Sequence, residues 1–166
     1  MIDKKPEQAP PISLEFLRTH SLFGGLGDGP LTRIRSLLTR KRFPKGAEIV
    51  REGECGGSLY MIWKGSAEVW KENPKDPQKL PVRLALLKEG DSFGEMELID
   101  IQPVVATVRA REDTTVLILS NGDLYRIEQD DLPTFTMIIM NLAREISRRL
   151  RVMDTLAAQS LFRKSG

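Results

Sequence analysis

The 166-residue chain contains one cysteine, Cys55, and one histidine, His20. A single cysteine cannot form a disulfide within the chain, which fits a reducing compartment. With one histidine we expect neither a histidine-rich metal site nor a Ser-His triad. Since no other catalytic constellation is present, the sequence predicts a protein that is not an enzyme.

Long apolar runs and strong charge are also missing. No stretch of about 18 apolar residues could span a bilayer, and the N-terminal "MIDKKPEQAPP" has no apolar core of a signal peptide. The net charge of +2 is too small to imply nucleic-acid binding by the chain as a whole. We therefore expect a soluble, cytoplasmic protein with no membrane partner.

The first part of the chain predicts an arm followed by two helices. Residues 1–12 are rich in proline and charge, which indicates a disordered arm. Ser13 is a suitable N-cap for a short helix, and "GDGPLTRIRSLLTRKRF" predicts a second helix with Pro30 in its first turn. The apolar faces consist of Leu14, Leu17, Leu22 and Phe23 in the first helix and Leu31, Ile34, Leu37 and Leu38 in the second.

After Phe43 glycines separate short runs that are typical of strands. These runs are "AEIVR", "SLYMIWK", "SAEVWKE", "VRLALLK", "ATVRARE" and "TTVLILS". Strands of about five to seven residues between glycine turns predict a compact antiparallel roll or barrel. The polar segment "ENPKDPQKLP" predicts an exposed hairpin loop.

One long helix is predicted over residues 133–166, with Asp131 and Pro133 marking its start. Its apolar seam recurs at gaps of three and four, with Arg149 in one slot. The seam consists of Ile139, Leu142, Ile146, Met153, Leu156 and Ser160. We expect a homodimer through this helix, and a β-roll with its N-terminal helices over residues 13–132. Because the sequence stops at Gly166, we expect no DNA-binding domain.

The segment "FGEMEL", residues 93–98, has the parts of a small ligand site. Gly94 can adopt a positive φ and admit a ligand close to the backbone. Free N–H groups of a helical turn would favour an anion, and Glu95 could accept hydrogen bonds from two vicinal hydroxyls. Such a pocket needs a cation for a phosphate, and arginine suits best. The alternative is a tight turn with a surface glutamate.

In this order of elements, the segment resembles the phosphate-binding cassette of the cyclic nucleotide-binding domain family. The family pattern is F-G-E-x-x-L, then P-R-x-A-T, and this chain has "FGEMEL" followed by "PVVAT" at 103–107. "LFGGL", "FPKGAEIVREGECGGSLYMIWKGSAEV" and "ATVRAREDTTVLIL" also match, so that the resemblance covers roughly residues 13–155. It implies a mainly β jelly-roll barrel with flanking helices, the last of which moves against the pocket. It also implies a regulatory module that binds cAMP, cGMP or another small anion.

The chain departs from the family at three positions of the cassette. Val104 replaces the arginine that pairs with the phosphate, Val105 follows it, and Glu97 stands where a small residue is usual. Losing one partner of a desolvated charge pair costs on the order of 2–5 kcal/mol, which is roughly 30- to 4,000-fold in affinity. The candidate site residues are Phe93, Gly94, Glu95, Met96, Glu97, Val104, Val105, Ala106 and Arg149.

Two questions stay open at the level of sequence. Arg149 either compensates for the lost arginine by reaching Glu95, Glu97 or a phosphate, or it does not, and then it extends to solvent at the edge of a dimer or pairs with Glu145. The chain is either a sensor with weak or altered cyclic-nucleotide binding, or a ligand-free pseudo-sensor that acts as a protein-interaction or dimerisation module.

Overall fold

The computed structural model describes residues 11–73, 76, 79–100 and 102–164, with side chains described as far as residue 159. The predicted arm, residues 1–12, lies almost wholly outside this range. The helices are α1 (Leu14–Thr19), α2 (Asp28–Leu37), α3 (Glu95–Ile99), α4 (Asn121–Asp130) and α5 (Leu132–Lys164), with a 3-10 turn at Ser21–Phe23. No helix in the described ranges has an apolar stretch that could span a membrane.

In the described part of the chain, eight strands form two antiparallel sheets of four. They are β1 (Thr39–Phe43), β2 (Glu48–Val50), β3 (Ser58–Lys64), β4 (Ala67–Lys71), β5 (Val82–Leu87), β6 (Ser92–Phe93), β7 (Thr107–Ala110) and β8 (Thr114–Ser120). The strand orders are β1-β8-β3-β6 and β2-β7-β4-β5. The predicted mainly β jelly roll, with helices before it and a long helix after it, is confirmed.

Two apolar cores lie on either side of the first sheet. Alternation along β3 and β8 divides their side chains, so that Met61 and Leu117 face the helices while Ile62 and Val116 face the second sheet. Ile138 and Leu142 of α5 are fully or almost fully buried in the helical core. Leucine burial of this kind contributes about 1.5–3 kcal/mol per side chain, which holds the first half of α5 firmly on the roll.

The side chain of Asn141 fixes α5 to the turn that precedes α2. Its amide donates hydrogen bonds to the carbonyls of Leu22, at 3.0 Å, and Gly24, at 2.9 Å. Asn141 is 7% exposed, and both acceptors are main-chain groups that would otherwise need another partner. The position of α5 over the roll is therefore set by polar contacts as well as by apolar packing.

The second predicted helix was wrong at its C-terminal end. Helix α2 ends at Leu37, and "TRKRF" continues as β1. All five residues of β1 pair with β8, from Thr39 with Ile118 to Phe43 with Thr114. Tertiary pairing overrides the weak helical preference of the basic residues. Helix α4 was not predicted; Ser120 and Asp123 form a capping box at its start.

Candidate ligand-binding site

A cavity of about 720 Å³ lies between the second sheet, α3 and the C-terminal half of α5. Its walls are largely apolar, with side chains from β2, β4, β5 and β7 on one side. Val152, Met153 and Leu156 of α5 form the opposite rim. All nine candidate site residues line this cavity, so the structure brings together the cassette (residues 93–107) and Arg149 from a distant part of the chain.

Gly94 shapes the floor of the cavity. Its φ of +83° gives the predicted left-handed conformation, and a Cβ at this position would lie 2.5 Å from the carbonyl oxygen of Ser58. Phe93, the preceding residue, is buried, and its ring stacks on that of Tyr60 with centroids 5.0 Å apart. A side chain at position 94 would therefore be strained and would also collide with β3.

The glutamates of α3 are buried, which rules out the alternative of a turn with a surface glutamate. Glu95 is 8% exposed and Glu97 is 7% exposed, whereas Met96 between them is 52% exposed. A Cβ at Gly56 would lie 2.6 Å from the Cγ of Glu97, so only glycine leaves room for this side chain. The five-residue helix thus turns two carboxylates inward, while the apolar side chains of Met96 and Ile99 are exposed.

Arg149 binds both Glu95 and Glu145. Its Nη1 lies 2.6 Å from Glu95 Oε1, and its Nη2 lies 2.9 Å from Glu145 Oε1. Nη2 also donates to the main-chain carbonyl of Ser92. The sequence offered Glu95 and Glu145 as alternative partners of Arg149. In the structure, Arg149 binds both at the same time. These contacts connect α5 directly to α3 and β6.

The Arg149–Glu95 pair does not satisfy the whole carboxyl group. Burial raises the pKa of Glu95, the positive charge of Arg149 opposes this rise, and the charges of Glu145 and Glu97 add to it. In the described part of the chain, Glu95 Oε2 has no hydrogen-bond partner. A buried carboxylate oxygen without a partner is costly, and a ligand donor would lower that cost.

The carboxylate of Glu97 binds the main chain of the segment that follows α3. Glu97 Oε1 accepts a hydrogen bond from the N–H of Val105 at 3.2 Å. Val104 is 8% exposed, and its own N–H and C=O bond to Glu54 and Gly53. The main-chain donor at position 105 is therefore already occupied by a negative group of the protein.

Several contributors to the site were missed by sequence reasoning. Tyr60 lines the cavity from the middle of β3, where the alternating pattern indicated only a strand. The ammonium of Lys71 binds the carbonyl of Val105 and the carboxylate of Glu52. Ser21 Oγ donates to Glu145 Oε2 at 3.0 Å. No local signal marks Lys71 or Ser21, because both contacts join segments far apart in the sequence.

Comparisons with known proteins agree with this architecture. The family model described as "Cyclic nucleotide-binding domain" matches residues 40–131. The cAMP-dependent protein kinase regulatory subunit of Emericella nidulans is 32% identical over 112 residues, which are 68% of this chain and 26% of that protein. The solved Thermus thermophilus catabolite activator protein is 31% identical with a TM-score of 0.75, covering 86% of this chain and 63% of that one. This chain thus spans less than two thirds of each.

A second similar solved structure is a variant of a regulatory subunit from Trypanosoma brucei. It is 24% identical, has a TM-score of 0.67, and covers 80% of this chain and 45% of that one. It is described as the regulatory subunit of a cAMP-independent protein kinase A, with three substitutions and with cAMP bound in the A site.

Proposed function

Because the chain belongs to the cyclic nucleotide-binding domain family, we propose that it is a regulatory, ligand-sensing module whose cavity binds cAMP and cGMP weakly. The proposed role is regulatory, and the described site consists of carboxylates, a guanidinium and apolar walls. The relatives it matches are named as regulatory subunits and a catabolite activator.

The observation that carries the proposal is the chemistry of the cassette. Val104 supplies no positive charge, and Glu97 places a buried carboxylate on the Val105 N–H. A phosphate that entered here would find no positive charge at position 104 and would be repelled by the carboxylate of Glu97. Phosphate binding would require Glu97 to move away from this position, which costs free energy.

Arg149 does not remove this difficulty. Its guanidinium already binds Glu95, Glu145 and the Ser92 carbonyl. A phosphate could recruit it only by breaking contacts with two carboxylates, one of them 8% exposed. Arg149 therefore serves to hold α5 against the site, and it does not replace the missing cassette arginine.

The substitutions of the Trypanosoma brucei variant can be compared with the cassette of this chain by their spacing. Its three substitutions replace a glutamate by alanine, a threonine by arginine and a valine by alanine. The replaced residues have the same spacing as Glu97, Val104 and Val105 here. In this chain the corresponding changes would remove one negative charge and add one positive charge.

Calorimetric titration of the purified protein with cAMP and cGMP tests the proposal. We expect curves that saturate only near millimolar ligand, if at all, because the cassette lacks the charge pair worth roughly 30- to 4,000-fold in affinity. Glu95→Ala is titrated alongside. Saturation of the unmodified protein at micromolar nucleotide, lost in Glu95→Ala, would contradict weak binding.

A second candidate function is a ligand-free pseudo-sensor that acts through α5. Met153 and Leu156 of the predicted seam are 60% and 54% exposed, and Leu150 and Val152 beside them are each 59% exposed. Apolar side chains at coiled-coil spacing on a helix favour pairing with another helix. In both candidate functions this face of α5 forms a homodimer.

Light scattering at micromolar protein tests the dimer. We expect a mass of two chains for the unmodified protein and for Ala158→Asp, a control on the same helix away from the seam. Leu156→Asp would place a charge in the apolar seam and shift the mass to one chain. A single-chain mass for the unmodified protein would refute dimerisation.

A further inference from the structure

We propose that the cavity takes an organic cation, with an apolar body and one protonated amine. The inference rests on the proposed function, in that this cavity is the ligand site of the module. It differs from the small anion that the family resemblance implies. The inference is based on the excess of acidic groups in the cavity, on its buried carboxylates and on its apolar walls.

Among the described residues, the walls of the cavity contain more acidic than basic groups. The acidic side chains are Glu54, Asp91, Glu95, Glu97 and Glu145, and the basic side chains are Arg148 and Arg149. Arg149 is shared by two of the carboxylates. Arg148 is exposed, and its Nε donates to the carbonyl of Arg144. The potential inside the cavity therefore favours a positive ligand over a negative one.

Glu97 is a buried carboxylate of the cavity wall without a cation partner among the described residues. It is 7% exposed, and none of the ion pairs among the described residues includes it. One hydrogen bond from the Val105 N–H, at 3.2 Å, reaches its Oε1. Burying a carboxylate without a cation is unfavourable, and a positive partner from a ligand would reverse that penalty.

The incomplete hydrogen bonding of the Glu95 carboxyl group is a second, independent observation. The Glu95 side chain is one-tenth exposed and belongs to the cavity wall. Oε1 is held by Arg149, but Oε2 has no hydrogen-bond partner among the described residues. An ammonium carries three N–H donors and no acceptor, so it could donate to the carboxyl group of Glu95, whereas a phosphate could not.

Aromatic side chains lie next to these carboxylates. Tyr60 and Phe93 line the cavity with stacked rings. Burial raises the pKa of the Tyr60 hydroxyl, and the charges of Glu97 and Glu54 raise it further. A cation over an aromatic face gains roughly 0.5–2 kcal/mol, most where water is excluded.

The rest of the cavity suits the apolar part of such a ligand. Ile49, Val69, Leu87 and Val108 form the inner wall, and Leu84, Met153 and Leu156 form the rim. The volume of about 720 Å³ falls in the range of roughly 300–1,000 Å³ that accommodates drug-sized molecules. A ring system would bury its faces here while its amine reached the glutamates.

Three indole compounds that share one ring but differ in charge provide the test. Tryptamine is a cation, tryptophol is neutral and indole-3-acetate is an anion at pH 7. Their dissociation constants are measured by NMR titration of the full chain. We expect tryptamine to bind about tenfold or more tightly than indole-3-acetate, since a charge-assisted hydrogen bond contributes about 1.5–3 kcal/mol.

Glu97→Gln keeps the size of the side chain and an acceptor for the Val105 N–H but removes the charge. We expect this substitution to weaken the binding of tryptamine about tenfold. The affinity for tryptophol should not change, and this result would also show that the cavity is intact. Glu128→Gln, the same substitution on α4 outside the cavity, should change neither. Three equal affinities, tightest binding of the anion, or no binding of any probe would overturn the inference.

The two proposals fail separately in this design. Micromolar saturation with cAMP would refute weak nucleotide binding, whatever the indole series shows. Absence of binding by all three probes, together with weak cAMP binding, would leave the proposed function standing and would overturn the organic-cation inference.

Discussion

Replacing Glu97, Val104 and Val105 by alanine, arginine and alanine should raise the affinity for cAMP roughly 30- to 4,000-fold. The arginine would provide a fork for two phosphate oxygens, and removal of Glu97 would free the Val105 N–H and eliminate a like charge. Alanine at position 105 reduces bulk at a side chain that is 46% exposed in the cavity wall. Calorimetry with cAMP on the unmodified and triple-substituted chains measures the gain.

The single substitutions separate the contributions. In Val104→Arg alone, the new guanidinium would pair with the retained Glu97, so we expect most of the gain to be lost. Glu97→Ala alone should recover only a small part, and Val105→Ala serves as the matched control with almost no effect. A triple variant that unfolds at the normal temperature but binds cAMP no better than the parent would show that the cassette charge is not what weakens binding.

Arg149→Ala should lower the free energy of unfolding by about 1–3 kcal/mol, and the neighbouring Arg148→Ala should change it by less than about 0.5 kcal/mol. Removal of Arg149 leaves Glu95, which is 8% exposed, without its cation. The expected loss lies below that of a fully buried pair because the Arg149 side chain is 40% exposed and partly screened by water. Urea denaturation of both variants at pH 7 measures the difference.

A double-mutant cycle identifies the cause of this loss. Glu95→Gln removes the charge that Arg149 compensates, so adding Arg149→Ala to it should cost clearly less than Arg149→Ala alone. Equal losses in both backgrounds would mean that Arg149 stabilises the protein through Glu145, the Ser92 carbonyl or packing. If Arg148→Ala and Arg149→Ala lowered the free energy of unfolding equally, the contact of Arg149 with Glu95 would have no special role in stability.

The sequence was sufficient for the β-roll because its glycines and alternating runs mark most strands directly. β3 and β8 follow the runs "SLYMIWK" and "TTVLILS". β1 could not be recognised, because "TRKRF" has no apolar alternation and becomes a strand only by pairing with β8. Local propensity decides little for a basic edge strand, whereas a pairing partner far along the chain decides its structure.

For the site, the sequence indicated which residues lie together but not which hydrogen bonds and ion pairs they form. Gly94 and Glu95 were expected at a ligand site, and they line the cavity. Neither the burial of Glu97 nor its bond to the Val105 N–H follows from spacing, because both depend on the path of the loop between α3 and β7. Arg149 presented two alternatives in sequence, and its planar guanidinium binds both carboxylates at once.

The amide of Asn141 is the point about which a rigid rotation of α5 would turn. Asn141 is tied to the carbonyls of Leu22 and Gly24, and a helix rises about 1.5 Å per residue, so Arg149 lies about 12 Å beyond the pivot and Lys164 about 35 Å beyond it. A rigid rotation that shifts Arg149 by about 1 Å would move the far end by about 3 Å. A small displacement of one guanidinium at the cavity would therefore be amplified threefold at the distal tip of the helix.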